Sequence, residues 1–223
     1  MSQGEKVQVP WSDIDTLLLD MDGTLLDLAF DNFFWLDLVP EEYARANGLS
    51  LEAARQAVES RTQAIVGTLP WYCLDHWTRE LGLDIAGLKH GHRERIRYLP
   101  RAREFVEHAR GLGKRLILVT NAHQVTLTIK CAQTGLDTLM DIVVSAHDVG
   151  VEKEQPRFWQ AFIAEHRVSP GRSLLIEDNL TVLTAAQSVG IKHTIAVSRP
   201  DSTQAQRAVA GFRAVDGVCD LID

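Results

Sequence analysis

Leu17-Leu18-Leu19-Asp20-Met21-Asp22-Gly23-Thr24-Leu25-Leu26 is the stretch whose reading decides the fold. An apolar run that ends in two aspartates one residue apart has the form of a strand buried in a sheet. Such a strand releases both carboxylates at its C-terminal edge, where open parallel sheets take their ligands. Period-2 geometry aims Asp20 and Asp22 the same way, and Gly23 lets the chain turn tightly after them. Two carboxylates this close repel unless a cation or a shared proton intervenes. A hard, oxygen-binding cation such as Mg²⁺ suits the pair. The competing reading is a strand end capped by solvated acids, and the rest of the chain has to decide between the two.

The chain has 223 residues, 45% of them hydrophobic, enough for one large domain or one domain carrying an inserted module. A net charge of −7 and a pI near 5.6 argue against a nucleic-acid polymer as partner. They leave room for a small anionic substrate in a local positive pocket. Cys73, Cys131 and Cys219 are isolated, with no CxxC or zinc spacing, and a sparse odd set suggests a reducing compartment. Residues 1–11 are polar and lack the apolar core of a signal peptide, and no apolar run has the length of a membrane span. The expectation is a cytoplasmic protein without a membrane partner, either a monomer or a homodimer.

Two of the four further strands end as the first one does. Arg115–Asn121 is a buried strand closing on Thr120 and Asn121, and a Thr hydroxyl there can hold a phosphoryl oxygen. Asp141–Ser145 is a short strand. Ser173–Asn179 closes on Glu177 and Asp178, and 191–197 is a final strand. Lys153 stands just before a helix, where a cation would neutralise crowded acids and a transferring phosphate. Helices are expected at 102–110, 124–133 and 180–189, with one more helix and a short strand in the tail. Between Leu26 and Pro100 the pattern is helical almost throughout: 29–39 broken by Pro40, 41–47, 51–66 with Ser50 as N-cap, and 71–81 opened by Pro70. Residues 90–97 read as a solvated basic turn. Aromatic residues cluster at Phe33-Phe34-Trp35 and around Trp71, Tyr72 and Trp77. They are either a local core or a surface for stacking a base. Asn32 and His76 beside them, and His123 beyond the second strand, are candidate substrate contacts.

Asp20-Met21-Asp22-Gly23-Thr24 resembles the first motif, DxDGT, of the haloacid dehalogenase (HAD) superfamily. Thr120, Lys153 and the Glu177-Asp178 pair are similar to its second, third and fourth motifs, in the same order. The resemblance implies a Rossmann-like parallel α/β core, residues 1–26 and 99–223, carrying an inserted α-helical C1 cap, residues 27–98. It implies that Asp20 is the nucleophile that forms an aspartyl-phosphate, and that Asp22 is the general acid/base. Thr120, Gly23 and Asn121 then hold the phosphate, and Lys153 balances charge. Asp20, Asp178 and the main-chain carbonyl of Asp22 bind Mg²⁺, with Glu177 a second acid acting directly or through water. An acid at position 22 separates this pattern from a dehalogenase, whose halide leaves without a proton.

Two departures stand out. Glu154 follows Lys153 where Pro is frequent in the family, and Val182 stands where a second Asp is commoner. The segments 19–35 and 71–77, with Thr120-Asn121-Ala122-His123 and Pro200-Asp201-Ser202, resemble the bacterial GMP/IMP nucleotidase branch. That likeness implies a purine nucleoside 5'-monophosphate as substrate. Sugar phosphates or phosphoglycolate, a mutase reaction, and nucleotide binding without turnover remain the alternatives.

Overall fold

In the computed structural model, which describes residues 7–222, six parallel strands form one sheet in the order β3-β2-β1-β4-β5-β6. They are β1 (Thr16–Leu19), β2 (Arg115–Thr120), β3 (Ile142–Ser145), β4 (Ser173–Glu177), β5 (His193–Val197) and β6 (Ala214–Val215). β1 is central and buried on both faces, which is why its sequence is a continuous apolar run rather than an alternating one. Leu17 and Leu19 pack with Leu116, Leu118, Phe105 and Val106 on one side. Leu18 packs with Ile117, Val119, Phe158 and Trp159 on the other. The helices covering these faces are α7 (Ala102–Gly111) on the first and α10 (Pro156–His166) and α11 (Leu180–Ser188) on the second. The remaining helices of this part are α8 (Gln124–Thr134) and the short α9 (Ala146–Val149).

All the helices between β1 and β2, apart from α7, form one block. They are α1 (Ala29–Phe33), a π-helical turn (Phe34–Leu38), α2 (Val39–Asn47), α3 (Leu51–Ile65), α4 (Leu69–Tyr72), α5 (Leu74–Leu81) and α6 (Ile85–Gly91), then a 3₁₀ turn at Arg93–Arg95. The Ser50 hydroxyl caps α3 by accepting from the Ala53 N–H at 3.2 Å. Phe34, Leu38, Val58, Leu74, Trp77 and Ile85 make the block's own core, which is continuous with the first face of the sheet. Its entry and exit run side by side: Leu26 bridges Tyr98, Asp27 N–H donates to the Arg97 carbonyl at 2.9 Å, and Leu99 N–H donates to Leu25. The Pro200-Asp201-Ser202 segment fastens that entry. The Ser202 N–H and hydroxyl both donate to Asp27, and Asn32 donates to Asp201 at 2.6 Å.

Four local expectations are corrected. Pro40 does not end a helix. It stands early in α2, directly after the π turn, within a helical run that continues from Ala29 to Asn47. The helix expected over 71–81 is two helices, split at Cys73 (φ −88°, ψ 114°). Tertiary bonds hold the break: Trp77 Nε1 donates to the Trp71 carbonyl at 2.7 Å and Tyr72 is tied to Glu154. His90 lies on α6, which Asp84 caps through the Gly87 N–H, rather than in a solvated turn. The tail provides β6, but only a 3₁₀ turn (Val218–Leu221) in place of a helix. Among the described residues no helix is long and apolar enough to cross a membrane.

Candidate active site

Strand order reverses beside β1, and the acids meet there. Leu19 pairs with Leu118 of β2 and with Ile176 of β4, so the residues that follow these strands share one edge. Asp20 continues the ladder through its N–H to the Ile176 carbonyl. Lys153 enters from the loop before α10 and is 2% exposed. Its ammonium donates to Asp20 Oδ1 at 2.5 Å, to Glu177 Oε2 at 2.8 Å and to the Val119 carbonyl at 2.8 Å. The Lys153 backbone is fixed on both sides, its N–H by Asn121 Oδ1 and its carbonyl by Trp159 Nε1. Burial alone would lower the Lys153 pKa, but the facing charges of Asp20 and Glu177 outweigh it and raise it. Burial also pushes the carboxyls up, helped by their mutual repulsion and opposed by the cations. Asp20 rises to about 8, with Glu177 its main repelling neighbour, Glu177 rises to about 7, and Asp178 to about 6.

These shifts bear on the metal. Carboxylate oxygens of Asp20, Glu177 and Asp178 lie within 4.8 Å of one another. The oxygens of Glu177 are committed, Oε2 to Lys153 and Oε1 to the Asp178 and Asn179 N–H groups. Asp20 Oδ2 and Asp178 Oδ1 accept nothing from the described residues. Asp178 Oδ2 takes Arg207 at 2.9 Å. Three crowded carboxyls that retain protons towards neutrality form an all-oxygen donor set short of positive charge, which fits a hard divalent cation. Free oxygens point to Asp20 and Asp178 as direct ligands and to Glu177 as the group that holds Lys153.

Asp22 stands apart from that cluster, in a buried ionic quartet. Lys130 of α8 donates to Asp22 Oδ1 and to Asp31 Oδ2, each at 2.5 Å, and Lys89 of α6 donates to Asp31 Oδ1 at 2.8 Å. The two lysines are 1% and 2% exposed. Burial raises the Asp22 pKa, with Lys130 opposing and Asp31 adding to the rise, so the acid is anchored yet able to hold a proton. Asp31 is held well below the usual carboxylate range by the two lysines, which overcome its burial. Burial lowers Lys89 against the pull of Asp31, whereas Lys130, between two acids, is raised despite its burial. Sequence reasoning missed Asp31, Lys89 and Lys130. The one available signal was a lysine on the face of α8 that otherwise buries Leu127 and Ile129.

The acids form the floor of a cleft of about 750 Å³. Thr120, Asn121 and Lys153 also line it, and the helical block contributes Trp35, Trp71, Tyr72 and Trp77 among its lining. Asn32 lines the cleft. Gly23, His76 and His123 do not. Gly23 (φ 81°) backs onto Pro200 and Asp178, and a Cβ there would meet them at 2.8 and 2.9 Å. His76 packs edge-on against Trp77, and His123 turns towards His147 and Asp75. Glu154, at the position where Pro is frequent, accepts from Tyr72, Asn121 and Asn179, and so ties the helical block to the strand ends. Asn179 pairs with Glu154 at 3.2 Å. Arg207, which lines the cleft from the tail loop and also donates to the Asp178 carbonyl at 2.6 Å, was not foreseen.

A sequence model of the family described as haloacid dehalogenase-like hydrolase matches residues 14–190. The chain is 40% identical over 201 residues to the GMP/IMP nucleotidase YrfG of Escherichia coli K12, covering 90% of each. It is 25% identical over 196 residues to the pyrophosphatase PpaX of Bacillus cereus, covering 83% of each. A HAD phosphatase from Thermococcus onnurineus has the same fold, with a TM-score of 0.78 at 23% identity over 93% of this chain and 96% of that one.

Proposed function

The chain belongs to the haloacid dehalogenase-like hydrolases, and from that premise we propose that it is a Mg²⁺-dependent phosphatase hydrolysing purine nucleoside 5'-monophosphates, GMP and IMP. The observation that carries this reading is the cleft itself, in which acids and aromatic side chains line a single volume suited to one nucleotide. The likeness to the Escherichia coli nucleotidase supports the purine assignment.

Asp20 attacks phosphorus in line, and the bond to the ester oxygen breaks as Asp22 gives that oxygen its proton. The products are the nucleoside and an aspartyl-phosphate on Asp20. Asp22, now a carboxylate, takes a proton from water. The water oxygen attacks the aspartyl-phosphate and releases inorganic phosphate. Lys130 keeps Asp22 in place through both steps. Lys153 neutralises Asp20 before attack and the phosphoryl oxygens during it. Mg²⁺ held by Asp20 and Asp178, with the Asp22 carbonyl, would supply further charge neutralisation to the same oxygens. The Thr120 hydroxyl and the main-chain N–H of Asn121 take phosphate oxygens at the end of β2, and Trp35, Trp71 and Tyr72 face the base.

Residues 27–98 act as a cap, hinged where Leu26 and Tyr98 meet, that excludes water while the phosphoryl group moves. The half-buried free cysteines suit a reducing cytoplasm. The test is phosphate release from a panel of phosphomonoesters, with Mg²⁺ and with EDTA, using Asp20→Asn as blank. Metal-dependent release favouring IMP and GMP is expected. Preference for sugar phosphates would overturn the base assignment and keep the Asp20 chemistry.

A further inference from the structure

Cys73, His123 and His147 come from three distant segments and converge beside the cleft. Cys73 sits at the break between α4 and α5, next to Tyr72. His123 precedes α8, two residues beyond Asn121. His147 is on α9. One ligand atom from each lies within 4.8 Å of the others, and the two imidazoles meet edge to face with centroids 5.0 Å apart. Each ring also carries a buried nitrogen without a partner among the described residues, Nδ1 of His123 and Nε2 of His147. On their other sides, His123 Nε2 lies 3.9 Å from Asp75 Oδ2 and His147 faces the Asn121 backbone. Metal-binding histidines commonly present one nitrogen towards a carboxylate or carbonyl and leave the other free to ligate. A buried polar nitrogen left unpaired is costly, and a ligand would remove that cost.

From this geometry we infer that Cys73, His123 and His147 form a binding site for a thiophilic divalent cation of the zinc class, distinct from the all-oxygen site at Asp20 and Asp178. A thiolate and two imidazoles are the donor set such a cation prefers, with a fourth position open to water or Asp75. Tetrahedral ligation sets N–N and N–S separations of roughly 3.3–3.6 Å, so rotation of the side chains by about an ångström closes the site. The cation joins the helical block, through Cys73, to the sheet, through His123 and His147. Stapling the block in this way slows turnover, a consequence that rests on the cap and phosphatase reading above. Binding itself does not depend on it.

The experiment titrates the metal-stripped, reduced full-length protein with Co²⁺ in excess Mg²⁺. The acid site offers no sulfur, so a sulfur-to-cobalt charge-transfer absorption reports this site alone. The expected result is one equivalent bound with that absorption and displaced by Zn²⁺. The absorption is lost in Cys73→Ser and kept in Cys131→Ser, and His147→Gln weakens binding by at least about tenfold. In parallel, Zn²⁺ inhibits Mg²⁺-dependent phosphate release by the wild type and not by Cys73→Ser, whose uninhibited activity also shows that it folds. No charge-transfer absorption, or one that survives Cys73→Ser, overturns the site. An intact cobalt site in a protein that releases no phosphate would leave it standing and sink the phosphatase reading.

Discussion

Asp31→Asn isolates the buried quartet. Asp31 accepts from Lys89 at 2.8 Å and from Lys130 at 2.5 Å, and the lysines are 2% and 1% exposed. Asparagine has no charge and one acceptor oxygen, so Lys89 loses its only counter-ion among the described residues, while Lys130 keeps Asp22. Removing one partner of a buried pair costs about 3–5 kcal/mol. Lys89 retains contacts over the Phe30 and Phe34 rings, at 5.2 and 4.6 Å, and its already lowered pKa lets it shed its proton. The loss should therefore sit at the lower end, about 3 kcal/mol, which lowers Tm by roughly 6–12 °C for a chain of this size. Adding Lys89→Met removes one positive charge alongside the negative one and leaves Asp22 with Lys130. The double variant should regain about 2 kcal/mol over Asp31→Asn alone. Asp31 also repels the Asp22 carboxylate, so its removal lowers the pKa of the general acid. The alkaline limb of nucleoside release in the first turnover should move to lower pH. The assays are denaturant unfolding of the four proteins of the cycle and single-turnover kinetics across pH. A loss below about 1 kcal/mol, a double variant no better than the sum of the singles, or an unmoved alkaline limb would refute the reasoning.

Asp20→Asn should abolish phosphate release, and Asp22→Asn should nearly do so while leaving nucleotide binding measurable by calorimetry. Without metal, folded Asp20, Glu177 and Asp178 keep protons to about pH 8, 7 and 6, whereas the unfolded chain releases them near pH ~4. The folded state thus binds more protons over that window, and stability should fall as pH rises from about 5 to 8. Mg²⁺ takes the deprotonated forms, so the rise in Tm that it produces should grow over the same window. A Mg²⁺ effect that is flat with pH would contradict the assignment. Trp71→Ala should raise KM for IMP by about 5- to 150-fold, the equivalent of one stacked base at ~1–3 kcal/mol, with little change for a small aliphatic phosphate ester. Gly23→Ala forces a Cβ against Pro200 and Asp178 at a φ of 81°, which should cost about 1–3 kcal/mol in backbone strain and weaken Mg²⁺ binding through displaced Asp178.

The parallel sheet, the helical insertion and the presence of Asp20, Asp22, Thr120, Lys153, Glu177 and Asp178 around one cleft were legible in the sequence, because each rests on a local pattern. An apolar run sets a buried strand, small polar residues or acids mark its end, and parallel strands with right-handed crossovers carry such ends to one edge. What each side chain does once there was not legible. Position 177 offered an acid, but its oxygens turned out to be committed to Lys153 and two backbone N–H groups. Histidines 76 and 123 stood next to suitable residues in sequence, yet packing turned them away from the cleft. Glu154 looked like a departure from pattern, and became the acceptor that joins Tyr72 to Asn121 and Asn179.

The partners of Asp22 lay furthest from view. Lys130 is 108 positions away along the chain, and its second acid, Asp31, belongs to the inserted helices. A sequence specifies local conformation through short-range sterics and periodic burial. Which charges end in contact depends on how two helical layers close over one sheet edge, and desolvation in that closed space, rather than any motif, sets their protonation.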